Sequence, residues 1–179
     1  MMLQLCYASE RIESEQELLQ DLSDILATAR KFNLQHQIHG VLYYSHGKFF
    51  QCLEGQAEVV ESLFQSICRD PRHHNILRFA DALVEHSHFS EWSMKYVHKH
   101  SEISSLFSRL GLKQFDPHAL QQSGIAEFLK VLYRLEENQA SLASPKGYKQ
   151  RGYVPYFGSD GSKLKIKKSA WRTFLSDVD

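Results

Sequence analysis

The sequence has few cysteines, no long apolar run and no net charge, and each of these absences argues against a class of protein. Its 179 residues include three cysteines, Cys6, Cys52 and Cys68, and the formal net charge is zero. No run of about 18 apolar residues occurs, so no membrane-spanning helix is predicted. The N-terminus lacks the basic and apolar regions of a secretory signal. An odd number of cysteines in apolar surroundings argues against a disulfide framework, and we expect a cytoplasmic protein.

Sequence signatures of catalysis and of metal binding are missing as well. The sequence contains no glycine-rich phosphate loop and no Gly-x-Ser-x-Gly motif, and no spacing pairs a nucleophile with a base. The ten histidines include several close pairs, but none stands in the Cys/His spacing that is typical of zinc. We therefore expect neither enzymatic activity nor a bound metal ion.

The neutral total conceals an uneven distribution of charge. Residues 141–179 contain eight lysines and arginines against three aspartates, which gives this segment a net charge of +5. Residues 1–140 therefore carry −5, and such a body is not typical of a nucleic-acid-binding protein. The basic segment is either a solvated end of the chain or a region that meets an acidic partner, a nucleic acid or a membrane surface.

Apolar periodicity predicts the element order β-α-β-β-α-β in the first part of the chain. A capping box at residues 14–17 precedes the first helix, whose apolar stripe ends on Asn33. A hairpin and a second helix follow, and after a loop at residues 70–75 we predict one continuous fourth strand over residues 76–84. Residues 92–97 add a short fifth strand. The predicted fold class is α+β, a ferredoxin-like sandwich with two helices on one face of the sheet and an extra strand.

Two further helical stripes follow the sandwich. Apolar residues recur at helical spacing over residues 103–110 and again over residues 120–133. Because the sheet has a second, uncovered face, we expect these helices to pack on it. The chain is therefore predicted to consist of an α/β domain over residues 1–98, a helical extension over residues 99–140 and a basic, loop-rich tail over residues 141–179.

Polar side chains stand on faces that the periodicity predicts to be buried. Tyr7 shares a face of the first strand with leucines, Gln51 lies between Phe49 and Leu53 on the third strand, and Asn33 closes a helical stripe. A buried amide without partners costs roughly 1–3 kcal/mol. In a ferredoxin-like sandwich the first and third strands are neighbours, so Tyr7 and Gln51 are predicted to be within reach of each other. These groups either satisfy one another or line a pocket for a planar ligand rich in donors and acceptors.

Six separated motifs, taken together and in this order, resemble those of the BLUF domain, a family of blue-light sensors that use flavin. The resemblance covers about residues 2–98. The motifs are Leu5-Cys6-Tyr7-Ala8-Ser9, Ala29-Arg30-Lys31-Phe32-Asn33, Ile38-His39-Gly40-Val41-Leu42-Tyr43-Tyr44, Phe49-Phe50-Gln51-Cys52-Leu53-Glu54-Gly55, Asp70-Pro71-Arg72-His73 and Trp92-Ser93-Met94.

The resemblance implies that a flavin lies between the two helices of the sandwich and that Tyr7 and Gln51 are the photoactive pair. FAD is the usual cofactor of the family, with FMN or riboflavin as alternatives. A phenol can give up an electron and a proton together, and a glutamine amide carries donors and an acceptor on one arm. Asn33 matches the residue that holds the pyrimidine edge of the flavin.

The resemblance assigns further contacts less closely. Arg72 and His73 stand at the loop that contacts the C2 carbonyl side, and Arg30 is a candidate for the ribityl or phosphate end. Met94 and Trp92 match the region in which one side chain or the other lies near the glutamine. Four positions depart from the usual pattern of the family, which leaves flavin affinity and dark recovery open. They are Phe32, Gln37, His39 and Lys95.

The resemblance also indicates how the signal leaves the domain. In short BLUF proteins a C-terminal helical extension packs on the sheet, and we expect output through these helices and the tail to a partner protein, a regulator, or through a homo-oligomer. Another class of protein remains possible at this point, a flavin-free ferredoxin-like module that binds protein or RNA. RNA binding would require exposed aromatic side chains, for which Phe49 and Phe50 are the candidates. An acylphosphatase-like enzyme is a third option, without a nameable catalytic set.

Overall fold

A computed structural model of the chain describes residues 1–12, 18–90, 93–97 and 100–142, and describes side chains as far as Leu135. The predicted capping box at residues 14–17, the side chain of Trp92 and nearly all of the basic tail lie outside the described residues. The chain divides into two compact units, Met1–Asn138 and Gln139–Asp179. The fold below is that of the first unit.

The described residues form a six-stranded sheet with helices on both faces. The sheet order is β4-β1-β3-β2-β6, and β5 also pairs with β1. All pairs are antiparallel except β2 with β6, which run parallel. The strands are β1 Met2–Arg11, β2 His39–Ser45, β3 Lys48–Gly55, β4 His73–Arg78, β5 Ala82–Val84 and β6 Lys95–Val97. The helices are α1 Leu18–His36, α2 Ala57–Ile67, α3 Ser101–Arg109 and α4 Gln122–Leu142, with a 3-10 turn at Pro117–Ala119.

The register of β1 against β3 decides what each face of the sheet carries. Tyr7 stands opposite Gln51, and Cys6 stands opposite Cys52. Because successive residues of a strand point to opposite faces, the tyrosine and the glutamine share one face while the two cysteines share the other. The ferredoxin-like α+β fold predicted from the periodicity is therefore confirmed, with β1 and β3 side by side at the centre of the sheet.

The predicted fourth strand was wrong in its continuity. The structure divides residues 76–84 between β4, which already begins at His73, and β5, with residues 79–81 between them. The pairing of β1 with β4 shifts register between Ala8 and Glu10. The Arg78 guanidinium lies 2.6 Å from the Asp81 carboxylate and closes the bend between the two short strands. The prediction failed because the mostly apolar run continues through a bend that a local ion pair fixes.

The second face of the sheet is covered by the C-terminal helices, as predicted. The rings of Phe50 and Phe128 lie 4.9 Å apart, and those of Tyr43 and Phe115 lie 4.7 Å apart. Each fully buried aromatic side chain of this kind contributes about 1.5–3 kcal/mol through removal of its apolar surface from water. None of the described helices has both the length and the apolarity that crossing a bilayer requires.

Candidate functional site

A tyrosine and a glutamine meet at the centre of the sheet. Tyr7 comes from β1 and Gln51 from β3, and the ladder places them directly opposite each other. The Tyr7 hydroxyl donates a hydrogen bond to Gln51 Oε1. Each residue is only 4% exposed, so water does not compete strongly for this bond. The structure thus brings together the two side chains that the sequence singles out as a photoactive pair.

The surroundings of Tyr7 keep its phenol protonated. Its ring lies 5.4 Å from that of Phe64 on α2 and 6.4 Å from that of His73 on β4, measured between ring centres. Burial raises the pKa of Tyr7 far above its ordinary value, and the charge of the nearby Asp70 carboxylate adds to the shift. A neutral phenol of this kind can donate a hydrogen bond, but it does not lose its proton unless its electron leaves too.

Met94 contacts the glutamine at its amide nitrogen. Gln51 Nε2 lies 3.5 Å from Met94 Sδ, and Met94 is 1% exposed. Gly40 on β2 makes room for this contact, because a Cβ atom there would lie 3.3 Å from Met94 Cε and 2.4 Å from the Cys52 carbonyl oxygen. The sequence left open whether Met94 or Trp92 is close to the glutamine; the structure places Met94 there, and Trp92 lies outside the described residues.

Two side chains of α1 hold the backbone that leads into β6. Asn33 Nδ2 donates to the Ser93 carbonyl at 2.7 Å, and Arg30 Nε donates to the Met94 carbonyl at 3.0 Å. Asn33 is completely buried, and its Oδ1 has no hydrogen-bond partner among the described residues. A buried amide oxygen without a donor is costly, so this atom suits a ligand that brings an N–H or O–H group.

Arg72 lies just before β4 and His73 is its first residue, and both side chains contact neighbouring residues of the protein. The Arg72 guanidinium contacts Asp70 in a two-pronged arrangement, with Nε 2.9 Å from Oδ1 and Nη2 2.5 Å from Oδ2. His73 Nδ1 lies 2.8 Å from Ser9 Oγ, and its Nε2 lies 2.8 Å from the Ile67 carbonyl oxygen. Burial lowers the pKa of His73. The histidine is therefore a neutral group that ties β4 to β1 and to the end of α2.

The residues of this face fit an isoalloxazine ring. Such a ring has an imide edge with one N–H donor and two carbonyl acceptors, and the chain offers a buried Asn33 Oδ1 and the Gln51 amide. The apolar stripe of α1 also stays only half-buried at Ile25, Leu26 and Ala29. A flat apolar ring against this stripe would complete its burial. Asn33, Gln51 and Tyr7 are the side chains that would hold the group.

Sequence reasoning missed two features near the site. Gly40 stood within a recognised motif, but its role as a close-contact position was not inferred; an isolated glycine inside a strand is the signal that indicates it. Phe64 lies on the predicted second helix, and its contact with the Tyr7 ring was not inferred. The RNA-binding alternative required exposed Phe49 and Phe50, and the structure buries both, with exposures of 5% and 0%.

A buried polar cluster on the opposite face was also missed. Glu54 is completely buried and accepts hydrogen bonds from Gln4 Nε2 at 2.6 Å and from Ser87 Oγ at 2.8 Å. The backbone N–H of His88 donates to it at 2.7 Å, and the His88 ring lies 2.9 Å away. Gln4 Nε2 also donates to the Tyr133 hydroxyl on α4 at 2.8 Å. The sequence signal for this cluster was a pair of polar residues, Gln4 and Glu54, on the same face of adjacent strands.

Comparison with known proteins places this geometry in a family. The family model described as BLUF, sensors of blue-light using FAD, matches residues 2–95. The blue light- and temperature-regulated antirepressor BluF of Escherichia coli K12 is 27% identical over 115 residues, which cover 60% of this chain and 28% of that protein. The photoactivated adenylate cyclase subunit alpha of Euglena gracilis is 32% identical over 111 residues, which cover 59% of this chain and 11% of the other. This chain therefore matches less than a third of either relative.

Solved structures agree with this family. BlsA in its photo-activated state is 47% identical with a TM-score of 0.71, and the match covers 74% of this chain and 95% of that one. BlrB, a BLUF protein in its dark state, is 28% identical with a TM-score of 0.63, and the match covers 75% of this chain and 96% of the other. The chain belongs to the BLUF family, whose members sense blue light by means of FAD.

Proposed function

We propose that Tyr7 and Gln51 are the light-responsive pair of this flavin-dependent blue-light sensor. The observation that carries the proposal is the buried hydrogen bond from the Tyr7 hydroxyl to Gln51 Oε1, with Met94 Sδ 3.5 Å from the amide nitrogen of the same glutamine. Both polar groups of the Gln51 amide thus have distinct neighbours. A half-turn of the amide exchanges donor for acceptor toward each neighbour, so the pair has two distinguishable hydrogen-bond states.

The chemistry assigns one task to each residue. FAD, when bound, absorbs blue light and accepts an electron. Tyr7 supplies the electron and releases its hydroxyl proton along the hydrogen bond toward Gln51, because the buried phenol cannot lose the proton alone. When the electron returns to Tyr7, Gln51 would give the proton back to the same hydroxyl oxygen, and its amide would stay rearranged. One or two exchanged hydrogen bonds differ by a few kcal/mol at most, which limits how far light can shift the protein.

Four more side chains complete the proposed site. Asn33 accepts a hydrogen bond from the imide edge of FAD through Oδ1, while its Nδ2 stays on the Ser93 carbonyl. Arg72 and His73 are proposed at the C2 carbonyl side of the ring, where the ion pair of Arg72 with Asp70 fixes the guanidinium in place. Arg30 is proposed toward the ribityl or phosphate end, and its contact with the Met94 carbonyl links that end to β6.

The output is proposed to run through the helices on the other face of the sheet. Residues 1–98 would sense light, residues 99–140 would transmit the change, and residues 141–179 would contribute a basic tail to a partner-binding surface. The similarity to an antirepressor supports a regulatory protein as the partner. The same proposal places the chain in the cytoplasm and gives it no enzymatic activity of its own. Assembly of copies of the chain is a second route by which the same helices could pass on the signal.

The test is the visible spectrum of the FAD-loaded protein before and after blue light. We expect a reversible shift of the flavin band to the red in the natural chain. Tyr7→Phe and Gln51→Ala should bind FAD and lose the shift. Tyr43→Phe is the matched control, since Tyr43 is equally buried but lies in the cluster on the opposite face, and this variant should keep the shift. A Tyr7→Phe variant that still shifts would refute the proposed pair.

A further inference from the structure

Two successive residues connect the two faces of the sheet. Met94 contacts Gln51 on the face of the photoactive pair. The next residue, Lys95, stands beside Val41 in the register of β6 with β2, and Val41 belongs to the apolar cluster that α4 covers. The two side chains are neighbours in the chain and contact groups on opposite faces, so a displacement of this segment moves both together.

The Lys95 side chain extends from β6 to the backbone of α4. Its side chain is 5% exposed, and Nζ donates to the Leu135 carbonyl oxygen at 3.3 Å. An amino group this deeply buried requires hydrogen-bond acceptors, because burial without them costs much free energy. Lys95 therefore favours the position of α4 in which a carbonyl oxygen of the helix is within its reach.

The contact of Lys95 with α4 lies near the end of the first compact unit. Leu135 is itself buried and lies three residues before Asn138, at which the first compact unit ends. The chain continues from this turn into the basic segment. A change in how the turn docks on the sheet therefore acts on the part of the chain that leads out of the sensor.

The segment that carries Met94 and Lys95 is suited to movement. β6 is a three-residue strand at the edge of the sheet and pairs with β2. Among the described residues, Asn33 and Arg30 of α1 donate to the backbone just before it, at Ser93 and Met94. A short edge strand is displaced at lower free-energy cost than a strand at the centre of a sheet.

We propose that Lys95 is the positioning residue that passes the light-induced change from Gln51 and Met94 through the sheet to α4 at Leu135. This inference rests on the proposed function of the Tyr7–Gln51 pair. When Gln51 rearranges, its contact with Met94 changes, β6 shifts, and the hydrogen bond from Lys95 to the Leu135 carbonyl weakens. The backbone hydrogen bonds of α4 over residues 131–138 then open more readily.

The test combines two measurements on the full FAD-loaded chain, the flavin band and amide hydrogen exchange over residues 131–138, in darkness and under blue light. In the natural chain, light should speed exchange there about fivefold, the lower end of typical couplings between sites. Lys95→Met keeps the length of the side chain and removes the amino group. It should retain the band shift and show the same exchange in light and dark. Lys130→Met, an exposed lysine on the same helix, should behave like the natural chain.

The outcomes separate the two proposals. If the natural chain shows no band shift, the proposed function fails. If the band shifts but Lys95→Met keeps the fivefold difference in exchange, the function stands and the role of Lys95 is refuted. Faster exchange in both states with the difference preserved would also refute it, since Lys95 would then only stabilise the fold.

A measurement on the natural side chain covers the case in which Lys95→Met does not fold. With nitrogen-15 in the lysine side chains, the Nζ resonance of Lys95 should move under blue light and return in darkness. The Nζ resonance of Lys130 should stay unchanged. Lys95→Arg, which retains a donor, serves to assign the signal. A Lys95 resonance that is identical in light and dark while the flavin band shifts would overturn the inference.

Discussion

The two faces of the central sheet are built by the same strands and yet have opposite characters. On one face Tyr7 and Gln51 bind each other, and an oxygen of Asn33 lacks a hydrogen-bond partner among the described residues. On the other face the ring of Phe128 lies 4.9 Å from that of Phe50 and 5.4 Å from that of Phe107. Rearrangement needs polar groups with alternative partners, whereas an apolar cluster has one dense packing. We call the first the switching face, in line with the proposed function of Tyr7 and Gln51, and the second the supporting face.

The largest effect that the comparison predicts is on the supporting face. Phe128→Ala removes a ring that is completely buried and should lower the free energy of unfolding by about 3–5 kcal/mol. Denaturant titration in darkness at a fixed FAD concentration measures the loss. Leu83→Ala, at a residue that is 65% exposed, is the control and should change little. A loss of stability below 1 kcal/mol would contradict the supporting role.

A second prediction sharpens the comparison, because the supporting face carries a buried polar cluster around Glu54. Gln4, Ser87 and the backbone of His88 all donate hydrogen bonds to the Glu54 carboxylate. Glu54→Gln replaces one of its acceptor oxygens with an NH₂ group, so two donors would face each other. The unfolding free energy should fall by about 1–3 kcal/mol. Glu127→Gln, at a half-exposed side chain of α4, should leave it unchanged. Equal stabilities of the two variants would show that the buried cluster is not needed for stability.

A third prediction concerns the affinity of the switching face for FAD. Asn33→Ala removes the proposed acceptor for FAD and the donor to the Ser93 carbonyl. We expect FAD affinity to fall about fivefold, which corresponds to one hydrogen bond of about 1 kcal/mol. Quenching of flavin fluorescence measures the affinity, and Leu34→Ala, at a 75% exposed neighbour, provides the reference. An unchanged FAD affinity of Asn33→Ala would show that Asn33 does not bind the cofactor.

The smallest predicted effect is a dependence on pH at the rim of the switching face. Burial lowers the pKa of His73 below its ordinary value of 6.5. The unfolded chain therefore binds a proton at a higher pH than the folded one, so His73 contributes stability above pH 6.5 that is lost as the pH falls through and below that value. His73→Gln should reduce the slope of unfolding free energy against pH in this range. A slope identical to that of the natural chain would argue against a buried, neutral His73.

Much of the site could be predicted from particular residues. The alternation of β1 and of β3 put Tyr7 and Gln51 on inward faces, and the element order made these strands neighbours. The sequence did not predict that Arg72 is held by Asp70 or that residues 76–84 break into two strands. Those features depend on ion pairs within short segments, which apolar periodicity does not register. The cluster around Glu54 joins residues from β1, β3, a loop and α4, and strand alternation indicates only the members on β1 and β3.

The sequence by itself determined the family, the order of strands and helices apart from the break within residues 76–84, and the faces on which Tyr7, Asn33 and Gln51 lie. These properties follow from local alternation and from short motifs, which any stretch of chain carries with it. Only the tertiary structure decided that Met94 contacts Gln51 and that Lys95 reaches Leu135. Such contacts join residues some 40 positions apart, and their distances depend on how β6 docks beside β2. Packing geometry between elements fixes them, and no local pattern encodes it.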